Sequence, residues 1–209
     1  MPPQALQAAD GRQSRTARSR QAICDACLDL LQEGVLQPSA DQISERAGVS
    51  RRSVFNHFAD LAELYDAVAA VGMARCAPLL EEISEDAPVR RRVERLVEVR
   101  SRFFEATAPF TRALTAQALV GSAPAQALRV SRQALRLQHR DVERLFRREL
   151  DALPGRERAE AVEALSAATS SLQWEYLRRS RENSLPRARA VMRRTLLSIL
   201  RDAAAYAEP

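Results

Sequence analysis

From Ser39 to Tyr65 the chain reads SADQISERAGVSRRSVFNHFADLAELY, and the helix signals in this stretch are local and strong. Ser39 followed three positions later by Gln42 is a capping box, so a helix starts there, entered from a loop at Pro38. Ala40, Ile43 and Ala47 recur at helical spacing and face inward. Gly48 stands where that helix needs a left-handed residue to stop, a conformation costly for any side chain with a Cβ. Ser50 caps the next helix by accepting a backbone N–H. In that helix Val54 and Phe58, four apart, are the buried pair.

At about 100° per residue, Arg52 and Asn56 point nearly opposite to the buried pair, flanked by Ser53 and Phe55, with Arg51 and His57 nearer the edges. Two short helices joined by this turn form a helix-turn-helix, which lays its second helix in the DNA major groove. Arginine can bond guanine O6 and N7 together, and asparagine adenine N6 and N7. Arg52 and Asn56 are therefore the base-reading candidates. Ser39, Ser53 and His57 suit phosphate contact, which positions a helix without specifying sequence. Ser50, Arg51 and Phe55 complete the candidate surface. The alternative from geometry alone is an ordinary helical hairpin with a solvated polar face.

Residues from about Arg20 to Tyr65, roughly a quarter of the chain, resemble the DNA-binding domain of TetR-family bacterial transcriptional regulators. The resemblance is carried by Ile23, Ala26 and Gly34, then by Ser39-x-x-x-Ile43 and Ala47-Gly48-Val49-Ser50. It continues through Val54-Phe55-x-His57-Phe58 and Leu64. It implies a three-helix head with Arg51 to His57 as recognition helix, then a connecting helix from about Asp60. Three positions depart from the family pattern. Phe55 replaces an aromatic hydroxyl, which removes a hydrogen bond to phosphate but keeps the ring. Leu61 stands where a lysine usually opens the fourth helix, so a common phosphate contact is absent, and Ser44 replaces an alanine. These departures bear on backbone anchoring more than on the fold.

Residues 1–14 are expected to be a disordered basic tail. Arg12, Arg15, Arg18 and Arg20 precede the first expected helix in a Gln/Ser-rich, apolar-poor segment. A flexible basic arm can follow phosphates or enter a minor groove, which adds Arg15 and Arg18 to the candidate contacts. The other reading is a solvated tail whose arginines contact nothing.

The chain has 209 residues and a net charge of +5, a balance that suits polyanion partners without requiring them. All 32 basic residues are arginine. The first twenty residues are polar and charged, unlike a signal peptide, and no apolar run approaches the ~20 residues of a membrane span. A cytoplasmic protein with no membrane association is expected. Cys24, Cys27 and Cys76 cannot make a secreted disulfide framework. Cys24 and Cys27 form a C-x-x-C inside a predicted helix, with no second Cys/His pair at zinc spacing. Cys27 shares a face with Ile23 and Leu31 and reads as core, a redox switch being the alternative.

Beyond Asp60 the chain reads as helices throughout, giving an all-α fold. The expected spans are residues 60–77, 88–107, 110–120, 125–153, 156–181 and 186–207, with breaks at Pro78, Pro109, Gly121, Pro154-Gly155 and Asn183-Ser184. The expected organisation is a head over residues 15–65 and a helical effector-binding and dimerisation domain over 66–209.

The final helix pair carries more apolar face than one subunit obviously buries. Its candidates for a subunit interface are Ala161, Leu165, Ala168 and Leu172, then Val191, Thr195, Leu196 and Ile199. Two such pairs make a four-helix bundle, where the TetR resemblance places a homodimer interface. A dimer sets two recognition helices about 34 Å apart, matched to a near-palindrome; the alternative is an intramolecular core. The resemblance also implies a small-molecule pocket among the central helices that acts on the spacing of the heads. Candidate wall residues are Phe103, Phe104, Phe110, Leu114, Gln117, His139, Phe146, Trp174 and Tyr176. Arg129, Arg132, Arg136, Arg140 and Arg144 form a stripe on one helix face, read as solvated or as a pocket rim favouring acidic ligands.

An enzyme is the main rival class. His57 and His139 are the two histidines, neither in a metal-ligand motif, and there is no glycine-rich phosphate loop or nucleophile elbow. No catalytic residue, metal or cofactor is expected. The expectation is a homodimeric regulator, most simply a repressor released from a palindromic operator by a small molecule. The alternative is a DNA-binding dimer without such an effector, controlled by a protein partner or by redox state.

Overall fold

The computed structural model describes residues 4–123 and 125–205, with side chains over 15–203 apart from residue 124. The described residues are helical with no strand, and none of the helices is long and apolar enough to cross a membrane. The chain divides into two compact units. One holds the residues up to Arg75 together with Pro109–Leu128, the other Cys76–Ala108 and the residues from Arg129 onward.

The first unit contains α1 (Gln4–Gln32), α2 (Ala40–Ala47), α3 (Arg51–His57) and nearly all of α4 (Leu61–Cys76). Helix α1 buries Ile23, Cys24, Cys27, Leu28, Leu30 and Leu31, spaced so that successive turns offer one apolar stripe. Against that stripe pack Ile43 of α2, Val54 of α3, Phe58 and, from α4, Leu64 and Val68. Full burial of each such side chain is worth about 1.5–3 kcal/mol. This shared core holds the short α2 and α3 in place, since isolated helices of that length are unstable in water. The segment after Pro109 returns to the same core through Phe110 and Ala113. The Phe110 ring lies so close to Gly72 of α4 that a Cβ there would stand 2.7 Å from its Cζ. Glycine at 72 is therefore a packing requirement.

The second unit is built on the first two-thirds of α5 (Val89–Leu119) and most of α6 (Ala125–Leu145). It continues with α7 (Arg147–Leu150), α8 (Gly155–Ala168), α9 (Ser171–Glu175) and α10 (Leu185–Ala205), with a π-helical turn at Tyr176–Ser180. Two arginines of α5 are buried and finish neighbouring helices. Arg92, 3 % exposed, donates to the Leu145 and Ala87 carbonyls and is paired with Glu149. Arg100 donates to the Thr169 carbonyl at 3.1 Å and to the Gln138 carbonyl at 3.0 Å, with Asp141 3.6 Å away. Burial pulls its pKa down to about 10, and Asp141 opposes that shift. Leu145 and Thr169 lie at helix C-termini, where the last carbonyls lack intrahelical partners, and each guanidinium supplies one.

Several expected boundaries move. Helix α1 begins at Gln4, so the backbone of residues 4–14 is helical where a disordered tail was expected. Gln4, Ala5, Leu6, Gln7, Ala8 and Ala9 are all good helix formers; the Arg12 side chain lies outside the described residues. Pro109, expected to separate two helices, sits inside α5. Buried Phe103 and Phe104 before it, and Ala113 and Gln117 after it, hold the helix through the missing N–H. The long helix expected over 125–153 stops at Leu145, because Phe146 leaves helical geometry and turns its ring fully inside. The helix expected over 156–181 is interrupted after Ala168 for a similar reason, with Thr169 completely buried. A boundary at residue 65 falls inside α4, whose Leu64 and Val68 belong to the first core.

Candidate nucleic-acid interface

The α2–α3 turn is fixed at both ends by short polar contacts. Ser39 Oγ accepts from the Gln42 N–H at 3.2 Å while the Ser39 N–H donates to Gln42 Oε1 at 2.9 Å, so both halves of the capping box form. Gly48 closes α2 at φ 65°, a left-handed conformation, and a Cβ there would meet nothing within 4 Å. A side chain at 48 would thus be opposed by backbone conformation alone. Ser50 Oγ accepts from the Ser53 N–H at 3.1 Å and opens α3.

Within α3, Val54 and the following Phe58 are each 1 % exposed. Arg51, Arg52, Phe55 and Asn56 are exposed, while Ser53 and His57 are half-buried. Ser39 and Ser50 are also exposed, so the surface runs from the start of α2 across α3. Arg51 is not independent of its surroundings. Its Nη1 pairs with the Asp41 carboxylate at 3.2 Å, and its guanidinium lies 5.9 Å from the centre of the Phe55 ring. Arg15 and Arg18 are exposed on helical α1 rather than on a flexible arm.

Other positioning residues emerge from the fold. Arg20 of α1 donates to the His57 carbonyl at 2.6 Å, stacks 4.1 Å over the Phe58 ring and lies 3.7 Å from Glu63. It ties α1 to the C-terminal end of α3, where a cation also complements the helix dipole. Arg46 of α2 makes a bidentate pair with Glu33 at 2.8 Å, which lowers the Glu33 pKa, chiefly through the hydrogen bond. Asp60 caps α4 by accepting from the Glu63 N–H, and Glu63 accepts from the N–H of Ala59, one residue before the cap, both at 2.8 Å. The Asp-x-x-Glu spacing was available in the sequence. Tyr65 donates to the Pro38 carbonyl at 2.7 Å; burial, then Cys27, pushes its pKa up to about 12.

The three cysteines are buried free thiols. Burial raises each thiol, and Cys27 reaches about 12, with Cys24 adding to the shift. The thiolate is the reactive form, so Cys27 is held in its inert state.

The nine residues expected to wall a pocket are divided between the two units. Phe110, Leu114 and Gln117 belong to the first unit, and Gln117 donates to the Leu36 carbonyl there at 3.3 Å. Phe103, Phe104, Phe146 and Trp174 are buried core of the second unit, and Trp174 Nε1 donates to Glu105 at 2.8 Å. Tyr176 is 51 % exposed. His139 lines an open groove between α6 and α8.

The expected interface residues also divide. Leu165 and Leu196 are 0 % exposed and Ala168 is buried with them, because α8 and α10 pack on each other and consume those stripes. These three are corrected to intramolecular core. Leu172 and Thr195 are exposed, and Ala161, Val191 and Ile199 are half-buried.

No family model matches the chain, and no curated protein matches it. A solved structure does share its fold: the crystal structure of a transcriptional regulator from Rhodococcus sp. Rha1, at a TM-score of 0.64 and 16 % identity, over 90 % of this chain and 96 % of that one. The all-helical architecture found here is thus similar to that of this regulator across nearly the full length of both chains.

Proposed function

We propose that the chain is a DNA-binding transcriptional regulator of the TetR type, acting as a homodimer on a near-palindromic operator and, most simply, as a repressor released by a small molecule. The observation that carries the reading is the division of α3: Val54 buried, and Arg52, Phe55 and Asn56 exposed on a helix whose two ends are pinned by Ser50 and Arg20. Arg52 and Asn56 can pair bidentately with guanine and adenine. Ser39, Ser50, Ser53 and His57 suit the flanking phosphates, as do Arg15 and Arg18 from α1. Similarity of fold to a regulator supports the class, while the departures at Phe55 and Leu61 leave fewer phosphate contacts than the family pattern offers. A second subunit would cover Leu172, 68 % exposed, together with Thr195, Val191 and Ile199. The buried, raised thiols weigh against the redox-controlled alternative.

Operator DNA recovered by selection from a random pool tests the reading. Arg52→Ala and Asn56→Ala are each expected to weaken binding by about 1–3 kcal/mol and to relax preference at particular base pairs. Failure to enrich any sequence, or uniform weakening without loss of preference, would overturn the assignment. Asp41→Asn is expected to act in the opposite direction. It removes a carboxylate from the DNA-facing surface and frees Arg51, so affinity should tighten by about 0.5–1 kcal/mol, measured by fluorescence anisotropy at fixed salt.

A further inference from the structure

The stripe of arginines on α6 divides by its partners. Arg144 is held by Glu85 and Asp141, each at 2.8 Å. Arg136 and Arg140 are exposed, and neither is hydrogen-bonded or ion-paired to another described residue. They stand one turn apart on the same helix face, a like-charge spacing that destabilises a helix unless an anion is near. Both line a groove of about 500 Å³, together with Leu135, Gln138 and His139 of α6, and with Glu163, Ser166 and Ala167 and the following Ser170. That volume lies within the usual range of small-molecule sites, about 300–1,000 Å³.

Leu135 and Ala167 are the apolar members of the groove's lining. Leu135 lies two turns before Val142 on the same helix face; Val142 is 0 % exposed, yet Leu135 is 51 % exposed. The core-facing stripe of α6 therefore continues into the groove without a covering side chain, beside Ala167. His139 is set by its own network. Ser166 Oγ donates to the Val162 carbonyl at 2.7 Å, so at 3.1 Å it accepts from His139 Nδ1–H. That tautomer leaves Nε2 as an acceptor, open to a donor group and not to an anion. Glu163, 77 % exposed and 3.9 Å from His139 Nδ1, puts one negative charge on the α8 side. It disfavours a multiply charged ligand and directs a single anionic group toward Arg136 and Arg140.

We propose that this groove binds a small amphiphilic carboxylate, its anionic head on Arg136 and Arg140 and its apolar body over Leu135 and Ala167. The inference names a ligand class for the effector in the function proposed above and rests on that reading only for its consequence on DNA.

Calorimetry on the full chain without DNA tests the site, with decanoate as probe and decanol and inorganic phosphate as controls. Decanoate is expected to bind in the micromolar range, at least tenfold tighter than either control. The double variant Arg136→Ala/Arg140→Ala should lose at least tenfold for decanoate while keeping its circular dichroism spectrum and melting temperature, since both side chains are exposed. Equal binding of decanoate and decanol would overturn the proposal, as would tighter binding of phosphate, an unchanged affinity in the double variant, or no decanoate binding below millimolar. A separate anisotropy titration on selected operator DNA distinguishes the two readings. If decanoate binds through the two arginines but DNA affinity does not change, the groove stands and its role as effector site fails. If selection yields no operator, the function proposal fails and the calorimetric result keeps its meaning.

Discussion

Phe58→Ala should destabilise the first unit by about 3–5 kcal/mol, the range for removing a buried aromatic ring. Phe58 is 1 % exposed in the core shared by α1, α3 and α4. Its ring also carries the Arg20 guanidinium at 4.1 Å. Truncation therefore removes packing and a cation–π contact together, and loosens the tie from Arg20 to the C-terminal end of α3. Urea unfolding followed by far-ultraviolet circular dichroism measures the loss. Phe58→Leu should cost much less, because it keeps most of the apolar volume and forfeits mainly the contact with Arg20. A loss below about 1 kcal/mol for Phe58→Ala would mean that the core closes without the ring. On the proposed function, Phe58→Ala should also impair DNA binding although Arg52 and Asn56 are untouched.

Glu149→Ala is expected to have a comparable effect in the second unit, about 3–5 kcal/mol. Arg92 is almost completely buried, and its charge is answered by the Glu149 carboxylate, with one contact at 3.0 Å. The Leu145 and Ala87 carbonyls accept its other hydrogen bonds but do not neutralise it. Removing Glu149 leaves an uncompensated cation inside the unit. The double variant Arg92→Met/Glu149→Leu should be less damaging than Glu149→Ala alone, since it leaves no charge behind. Trp174 is the only tryptophan and is 2 % exposed in the same unit, so its fluorescence follows the transition. A near-neutral Glu149→Ala would show that water reaches Arg92 and that its burial is not functional in holding α6 and α7.

The helices from Ser39 to His57 were legible in the sequence because each signal there is local. A capping box, a left-handed glycine, a second cap and a four-residue apolar repeat all act within twenty residues, and no distant partner opposes them. What escaped the sequence is decided at long range. Arg20 meets the His57 carbonyl across 37 residues, and nothing in either neighbourhood announces the pair. The end of α6 at Leu145 has neither glycine nor proline; burial of Phe146 and the Arg92 bond to the Leu145 carbonyl set it. Pro109 shows the converse, a strong local breaker overridden by packing on both sides. Leu165 and Leu196 show a third limit. A periodic stripe says that a face will be covered, but not whether a neighbour in the same chain or in a second one covers it. Phe103, Phe104, Phe146 and Trp174, offered as pocket walls, are buried in the second unit, and a ring at helical spacing fills a core as readily as it lines a cavity.

The ion pair between Arg51 and Asp41 bears on how a regulator of this kind would search a chromosome. Random sequence outnumbers any target by many orders of magnitude, and a head covered in free cations would linger on all of it. On the proposed function, with Arg51 held by Asp41, each chance encounter would first have to break a contact inside the protein. Dwell time on random duplex would shorten, and only a site that also satisfied Arg52 and Asn56 would offset the exchange.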